Sequence, residues 1–136
     1  MADVRVAVRW LGTDLTFTAG AVGGPAVVVD GNGREGPTPV QLLVAGIAGC
    51  SAVDVVDILR KMRVPLEALH VAVEADRAPE PPRRLTRVRL VYETRGVSAD
   101  DEAKVRRAVA LSHEKYCSVL HTLRPDVEIE SEIVLA

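Results

Sequence analysis

Two cysteines are the residues of this 136-residue chain best equipped for chemistry. Cys50 stands in Ala48-Gly49-Cys50-Ser51 and Cys117 in Glu114-Lys115-Tyr116-Cys117-Ser118, with 66 residues between them. If two helices carrying them pack together, one sulfur can attack the O–O bond of a peroxide and become a sulfenic acid. The other then resolves it as a disulfide. The attacking sulfur must be ionised near neutral pH, against a reference pKa of about 8.5. A nearby arginine or helix N-terminus favours that, and an apolar shell opposes it. The same apolar shell would select organic hydroperoxides with fatty or aromatic tails over hydrogen peroxide. Inert burial is the competing reading, because cysteine is among the most buried residue types.

A metal site is another use of the same residues. His113, Cys117 and His121 recur at a spacing of four, so on one continuous helix they would share a face. With Cys50 as a fourth ligand they would suit tetrahedral zinc. Spacings of this kind arise by coincidence, and polar surface or interface is the simpler account of the histidines, so no metal is expected. His113 or Lys115 supplying positive charge to a thiolate is a weaker option.

The element that must position Cys50 is a long helix within Gly36 to Arg63. Thr38 suits the N-cap, Pro39 the first helical position, and Gln41 completes a capping box with Thr38. From Val40 to Val53 almost nothing is charged, so this half is expected to be buried on every side. Asp54, Asp57, Arg60, Lys61 and Arg63 return the helix to water, and Pro65 closes it. Gly46 and Gly49 flank the cysteine although each costs about 1 kcal/mol in a helix. Close helix packing and access to the thiol explain them equally well.

The rest of the chain alternates in the manner of strands. Val4, Val6, Val8 and Trp10 share one face of a half-buried strand, Leu15 and Phe17 mark a second, and Ala26 to Val29 a third. Asp30-Gly31-Asn32-Gly33 is a turn. After the helix come Leu69 to Ala75 and Thr86 to Tyr92, two strands joined by the stiff loop Pro79-Glu80-Pro81-Pro82. Ser98, with Asp101 three residues on, starts a second helix with Val105, Ala108, Val109 and Ser112 inward. It runs to about Lys115, and Tyr116 to Leu123 either continues it or opens a new turn. Val127 to Leu135 is the last strand. The order is βββ-α-ββ-α-β, an α+β fold in a single domain over residues 1–136. Arg83, Arg84, Arg87 and Arg89 read as a solvated strand face, with a phosphate or acidic-partner site as the outside alternative.

Net charge is −2 and the isoelectric point about 5.9, which gives no electrostatic case for nucleic acid or an anionic membrane. The apolar run from Val40 to Val53 is too short to span a bilayer. Nothing at Met1 to Gly12 reads as a leader, so the cytoplasm is expected, where two cysteines are reactive or buried rather than a static staple.

The segments Gly36-Pro37-Thr38-Pro39-Val40-Gln41-Leu42-Leu43, Ala48-Gly49-Cys50 with Asp54-Val55-Val56, and Glu114 to Val119 resemble the OsmC/Ohr family of bacterial peroxide-detoxifying proteins, in particular its OsmC-like branch. The resemblance covers nearly the whole chain. It implies antiparallel sheets around long central helices in an intertwined homodimer, with the reactive cysteines near the interface. It further implies a cofactor-free thiol peroxidase that reduces organic hydroperoxides to alcohols and is recycled by a dithiol reductant. By position, Cys50 matches the attacking cysteine and Cys117 the resolving one. Family peroxidases usually carry a glutamate after the proline, gripping an arginine that activates the thiolate. Here Pro39-Val40-Gln41 has no carboxylate. Gln41 is the neutral candidate in that place, although capping alone explains it, and Arg9, Arg5 and Arg34 are the candidate arginines. A non-enzymatic dimer that binds an apolar small molecule in its interface pocket is the alternative.

Overall fold

The computed structural model describes residues 2–136. Its elements follow the expected order: β1 (Val6–Trp10), β2 (Thr16–Ala21), β3 (Ala26–Asp30), α1 (Pro39–Lys61), β4 (Ala68–Arg77), β5 (Leu85–Arg95), α2 (Glu102–Leu111), α3 (Ser118–Thr122) and β6 (Glu128–Leu135). The chain forms two compact units that divide after Leu43, inside α1.

The N-terminal unit is an antiparallel meander in the order β1-β2-β3. Its turn after β3 is built on Asp30, a buried side chain whose carboxylate accepts the backbone N–H groups of Asn32, Arg34 and Glu35. Those bonds hold the Asp30 carboxyl below its ordinary range, and the Arg34 charge adds to them. β1 departs from expectation. It is exposed along its length rather than half-buried, with Val6 63%, Val8 66% and Trp10 58% exposed. Alternation identifies the two faces of a strand; it does not supply a layer to cover one of them.

Helix α1 starts as its residues dictate. Gln41 N–H donates to Thr38 Oγ1 at 3.1 Å, and the Thr38 N–H donates back to Gln41 Oε1 at 3.0 Å. Two otherwise orphaned donors are satisfied reciprocally.

In the C-terminal unit β4 and β5 pair antiparallel, while β6 joins the free edge of β5 in parallel. The expectation of antiparallel pairing therefore fails for β6: the helical crossover between β5 and β6 returns the chain in the direction in which it left. β5 is the spine. Val88, Leu90, Tyr92 and Thr94 are buried, while Arg87, Arg89 and Glu93 alternate onto the other face. Arg87 forks onto Glu130 and also reaches Asp76, Arg89 pairs with Glu132, and Arg84 with Asp126. The arginine cluster is thus a solvated strand face, its charge answered by the acidic residues of β6 and its approach.

Against the buried face of β5 lie Ile47, Ser51, Val55 and Leu59, one row of α1 at a spacing of four, with Val105, Ala108 and Val109 of α2 in the same core. The remaining faces of α1 are open, contrary to the expectation of burial all round: Val53 is 69% exposed and Leu43 48%. α1 is long and apolar enough to cross a membrane, with a hydropathy of 2.0, but the core helix of a folded domain passes the same test. The second helix also begins differently. Ser98 makes no side-chain cap; a 3₁₀ turn at Ala99–Asp101 leads into α2 instead.

Candidate functional site

Cys50 lies on α1, half-buried, beside the buried Ser51. Asp54 follows one turn later, so its side chain shares the cysteine's side of the helix. Cys117 comes from the far end of the unit by a local device. After α2 the chain widens into a π-helical turn, Ser112–Tyr116, closed by Cys117 N–H donating to the Ser112 carbonyl at 2.8 Å. Cys117 itself is extended and caps α3, its sulfur accepting the Leu120 N–H at 3.5 Å. Helix-like spacing past Tyr116 is therefore broken. A new short helix starts, and the break turns Cys117 inward.

The outcome is a tight cluster. The two sulfurs and one carboxylate oxygen of Asp54 all lie within 4.8 Å of one another. Both cysteines are free thiols. Burial pushes the Cys117 thiol up to about 11, and its neighbour Cys50 adds to the rise while the Leu120 N–H opposes it. Closing a disulfide would bring the sulfurs from within 4.8 Å of each other to about 2.05 Å.

The zinc set does not assemble. His113 turns Nε2 to the Tyr92 hydroxyl at 2.7 Å, and His121 turns Nε2 to the His113 carbonyl at 3.0 Å. Their side chains are engaged elsewhere, and the helix they were to share is interrupted.

Sequence reasoning missed a buried polar chain behind the cysteines. Tyr92 Oη lies 2.5 Å from Ser51 Oγ, Ser51 Oγ lies 2.9 Å from Ser112 Oγ, and Ser112 Oγ donates to Asp54 Oδ2 at 3.0 Å. Ser51, Tyr92 and Ser112 are fully buried and mutually satisfied. Burial pushes the Tyr92 phenol up to about 12, so it stays a donor. Asp54, expected to face water, instead turns to the sulfurs and Ser112. Contacts spanning 41 and 61 residues are not legible in sequence spacing.

Burial also holds the His113 imidazole below its ordinary value of 6.5. The unfolded chain then takes up this proton first on acidification. The contribution is complete above pH 6.5 and declines as pH falls from 6.5 to the depressed folded value. His113→Gln is expected to flatten that part of the stability–pH curve, measured by urea unfolding between pH 7.5 and 5.

Beside Asp54 opens a cleft of about 380 Å³ lined by Ile58, Met62, Leu111 and Tyr116, with Asp57 and Lys61 at its polar side. It offers an apolar berth next to the carboxylate that borders both sulfurs.

The other candidates belong to the N-terminal unit. Arg5 precedes β1 and Arg9 stands on β1 opposite Thr18; both are exposed. Arg34 is an exposed residue of the turn on Asp30. Gln41 spends its side-chain oxygen on the α1 cap. Gly46 and Gly49 are not sites of close packing among the described residues, since a methyl group added at either meets nothing of theirs within 4 Å.

Comparison with known proteins places this arrangement. The profile of OsmC-like proteins matches residues 31–132. Protein YhfA of Escherichia coli K12 is 38% identical over 127 residues, 93% of each chain. The crystal structure of a hypothetical protein from Aquifex aeolicus VF5 superposes with a TM-score of 0.85 at 27% identity, over 100% of this chain and 98% of that one. An organic hydroperoxide resistance protein OsmC from Legionella pneumophila superposes with a TM-score of 0.69 at 17% identity, over 98% of each chain, a likeness of fold alone. Matched by that profile over most of its length, and sharing 38% of its residues with YhfA, the chain belongs to the OsmC-like family.

Proposed function

We propose that this protein is a thiol-dependent peroxidase in which Cys50 reduces an organic hydroperoxide to the alcohol and Cys117 closes the disulfide. The observation that carries this reading is the meeting of two free cysteines, with 66 residues between them in sequence, within 4.8 Å of each other and of Asp54, which lines a partly apolar cleft. Cys50, the less buried of the two, is the attacking sulfur, and Cys117, wholly buried, is the resolving one. The Cys50 thiolate takes the distal peroxide oxygen, the O–O bond breaks, and the alkoxide leaves as the alcohol once protonated. A dithiol reductant then restores both thiols, and the protein acts in the cytoplasm without a cofactor. The Legionella neighbour is named for organic hydroperoxide resistance, which agrees with this substrate class.

The acting form is a homodimer of single-domain chains. Val4, Val6, Val8 and Trp10 at the N-terminus, and Leu43 and Val53 on α1, are all exposed in one chain. Apolar surface of that extent is what a second copy would cover. Arg9, Arg5 and Arg34 remain the candidates for the cation that favours the Cys50 thiolate; Gln41, held in its cap, is the weaker one.

The test is direct. Reduced protein mixed with cumene hydroperoxide should lose both thiols per chain in a Cys50-dependent manner, counted by thiol titration. Thiols that stay unreactive would instead favour a non-enzymatic dimer that binds an apolar molecule.

A further inference from the structure

With Asp54 as a carboxylate, the direction of each proton in the buried polar chain follows from the one-proton limit of each hydroxyl. Ser112 has one hydroxyl proton, and it is given to Asp54. In the contact between Ser51 and Ser112 the donor must therefore be Ser51. With that proton committed, the contact between Ser51 and Tyr92 must be made by the tyrosine proton. Tyr92 can then only accept from His113, whose Nε2 carries the hydrogen. With Asp54 as the carboxylate, all four contacts run one way, from His113 to Asp54; a proton on Asp54 would let the whole set reverse.

A chain pointing this way ends on a carboxylate that can only accept, and that carboxylate borders both sulfurs. We propose that Asp54 is the general base of the resolving step, taking the proton from Cys117 as its sulfur attacks Cys50. The proposal rests on the two-cysteine reading above and deepens it. In the step, the Cys117 S–H bond breaks and its proton passes to the Asp54 carboxylate. The new S–S bond forms as the S–O bond of the Cys50 sulfenic acid breaks. Asp54 hands the proton to the departing hydroxide, which leaves as water. The Cys50 sulfur is reduced by this step and the Cys117 sulfur oxidised, so the hydroperoxide consumed earlier is the only oxidant required.

The need for a base is visible in the site. Cys117 is wholly buried, and burial makes its thiol a poor source of thiolate. Asp54 is the carboxylate that converges with the two sulfurs. Ser112, Ser51, Tyr92 and His113 are positioning residues. Ser112 occupies one face of the carboxylate at Oδ2, and the others fix Ser112.

The step can be isolated from peroxide chemistry with 5,5′-dithiobis(2-nitrobenzoate). The reagent first caps Cys50 and releases one coloured thiolate, then Cys117 attacks the mixed disulfide and releases a second. Asp54→Asn should slow the second release roughly 100-fold more than it changes the first, the usual worth of a general base. Asp54→Glu, which restores a carboxylate, should recover much of it. A structural role alone would slow both releases together. The proposal is overturned if the second release in Asp54→Asn is as fast as in the wild type, or if both releases slow equally. Hydroperoxide that leaves the thiols untouched, while the second release still depends on Asp54, overturns the peroxide reading and supports the base.

Discussion

Cys117→Ser is expected to stop after one oxidation. With cumene hydroperoxide it should lose its single remaining thiol, hold a Cys50 sulfenic acid that dimedone traps, and form no intramolecular disulfide. Cys50→Ser should lose nothing, because the remaining thiol is wholly buried and pushed up to about 11 by that burial. The asymmetry is the informative part. Equal reactivity of the two variants would mean that either sulfur can attack, and the roles assigned from exposure would fall. Intact-mass spectrometry distinguishes the outcomes: one added oxygen in Cys117→Ser, the loss of two hydrogens in the wild type, no change in Cys50→Ser.

The second large effect is on stability. Tyr92 is fully buried in the middle of β5, where its ring fills the core between α1 and α2 and its hydroxyl joins Ser51 to His113. Tyr92→Ala should cost about 3–5 kcal/mol, as truncation of a large buried ring does. Tyr92→Phe keeps the ring and leaves the His113 N–H without its acceptor, for about 1–3 kcal/mol. Urea unfolding at pH 7 reads both. A Tyr92→Phe protein as stable as the wild type would show that the hydroxyl is spectator to the fold, and that the chain from His113 to Asp54 carries no structural weight.

The solved relatives and this chain agree on architecture, and the departures from expectation are physically consistent with one another. One face of β1, from its alternation, and every face of the apolar half of α1 are expected to be buried, yet β1 and the outer faces of α1 are open in one chain. Gly46 and Gly49 were open to a packing explanation that the described residues do not supply. These departures fall on surfaces whose partner, on the reading proposed above, is a second copy. Apolar character records that a surface is covered in the working assembly; it does not record by whom.

Local rules determined a good deal. The capping box of Thr38 and Gln41, the alternation of β5 and the inward row of α2 follow from side-chain chemistry within a few residues, and each appears where its residues demanded. That Cys50 and Cys117 could meet is conditional on two helices packing, and the roles expected of them rest on a resemblance to known motifs; the structure shows the proximity. What the tertiary structure alone decided was the parallel return of β6, the break at Ser112–Tyr116 and the chain from His113 to Asp54. The break defeats any argument from helical period, because one extra residue per turn resets which side chains face inward. The polar chain joins Ser51, Tyr92, Ser112 and His113 from three separate elements, and each of those residues taken alone reads as an ordinary core or surface position. Their connection exists only in the hydrogen bonds between them, and those are set by packing distances no linear pattern contains.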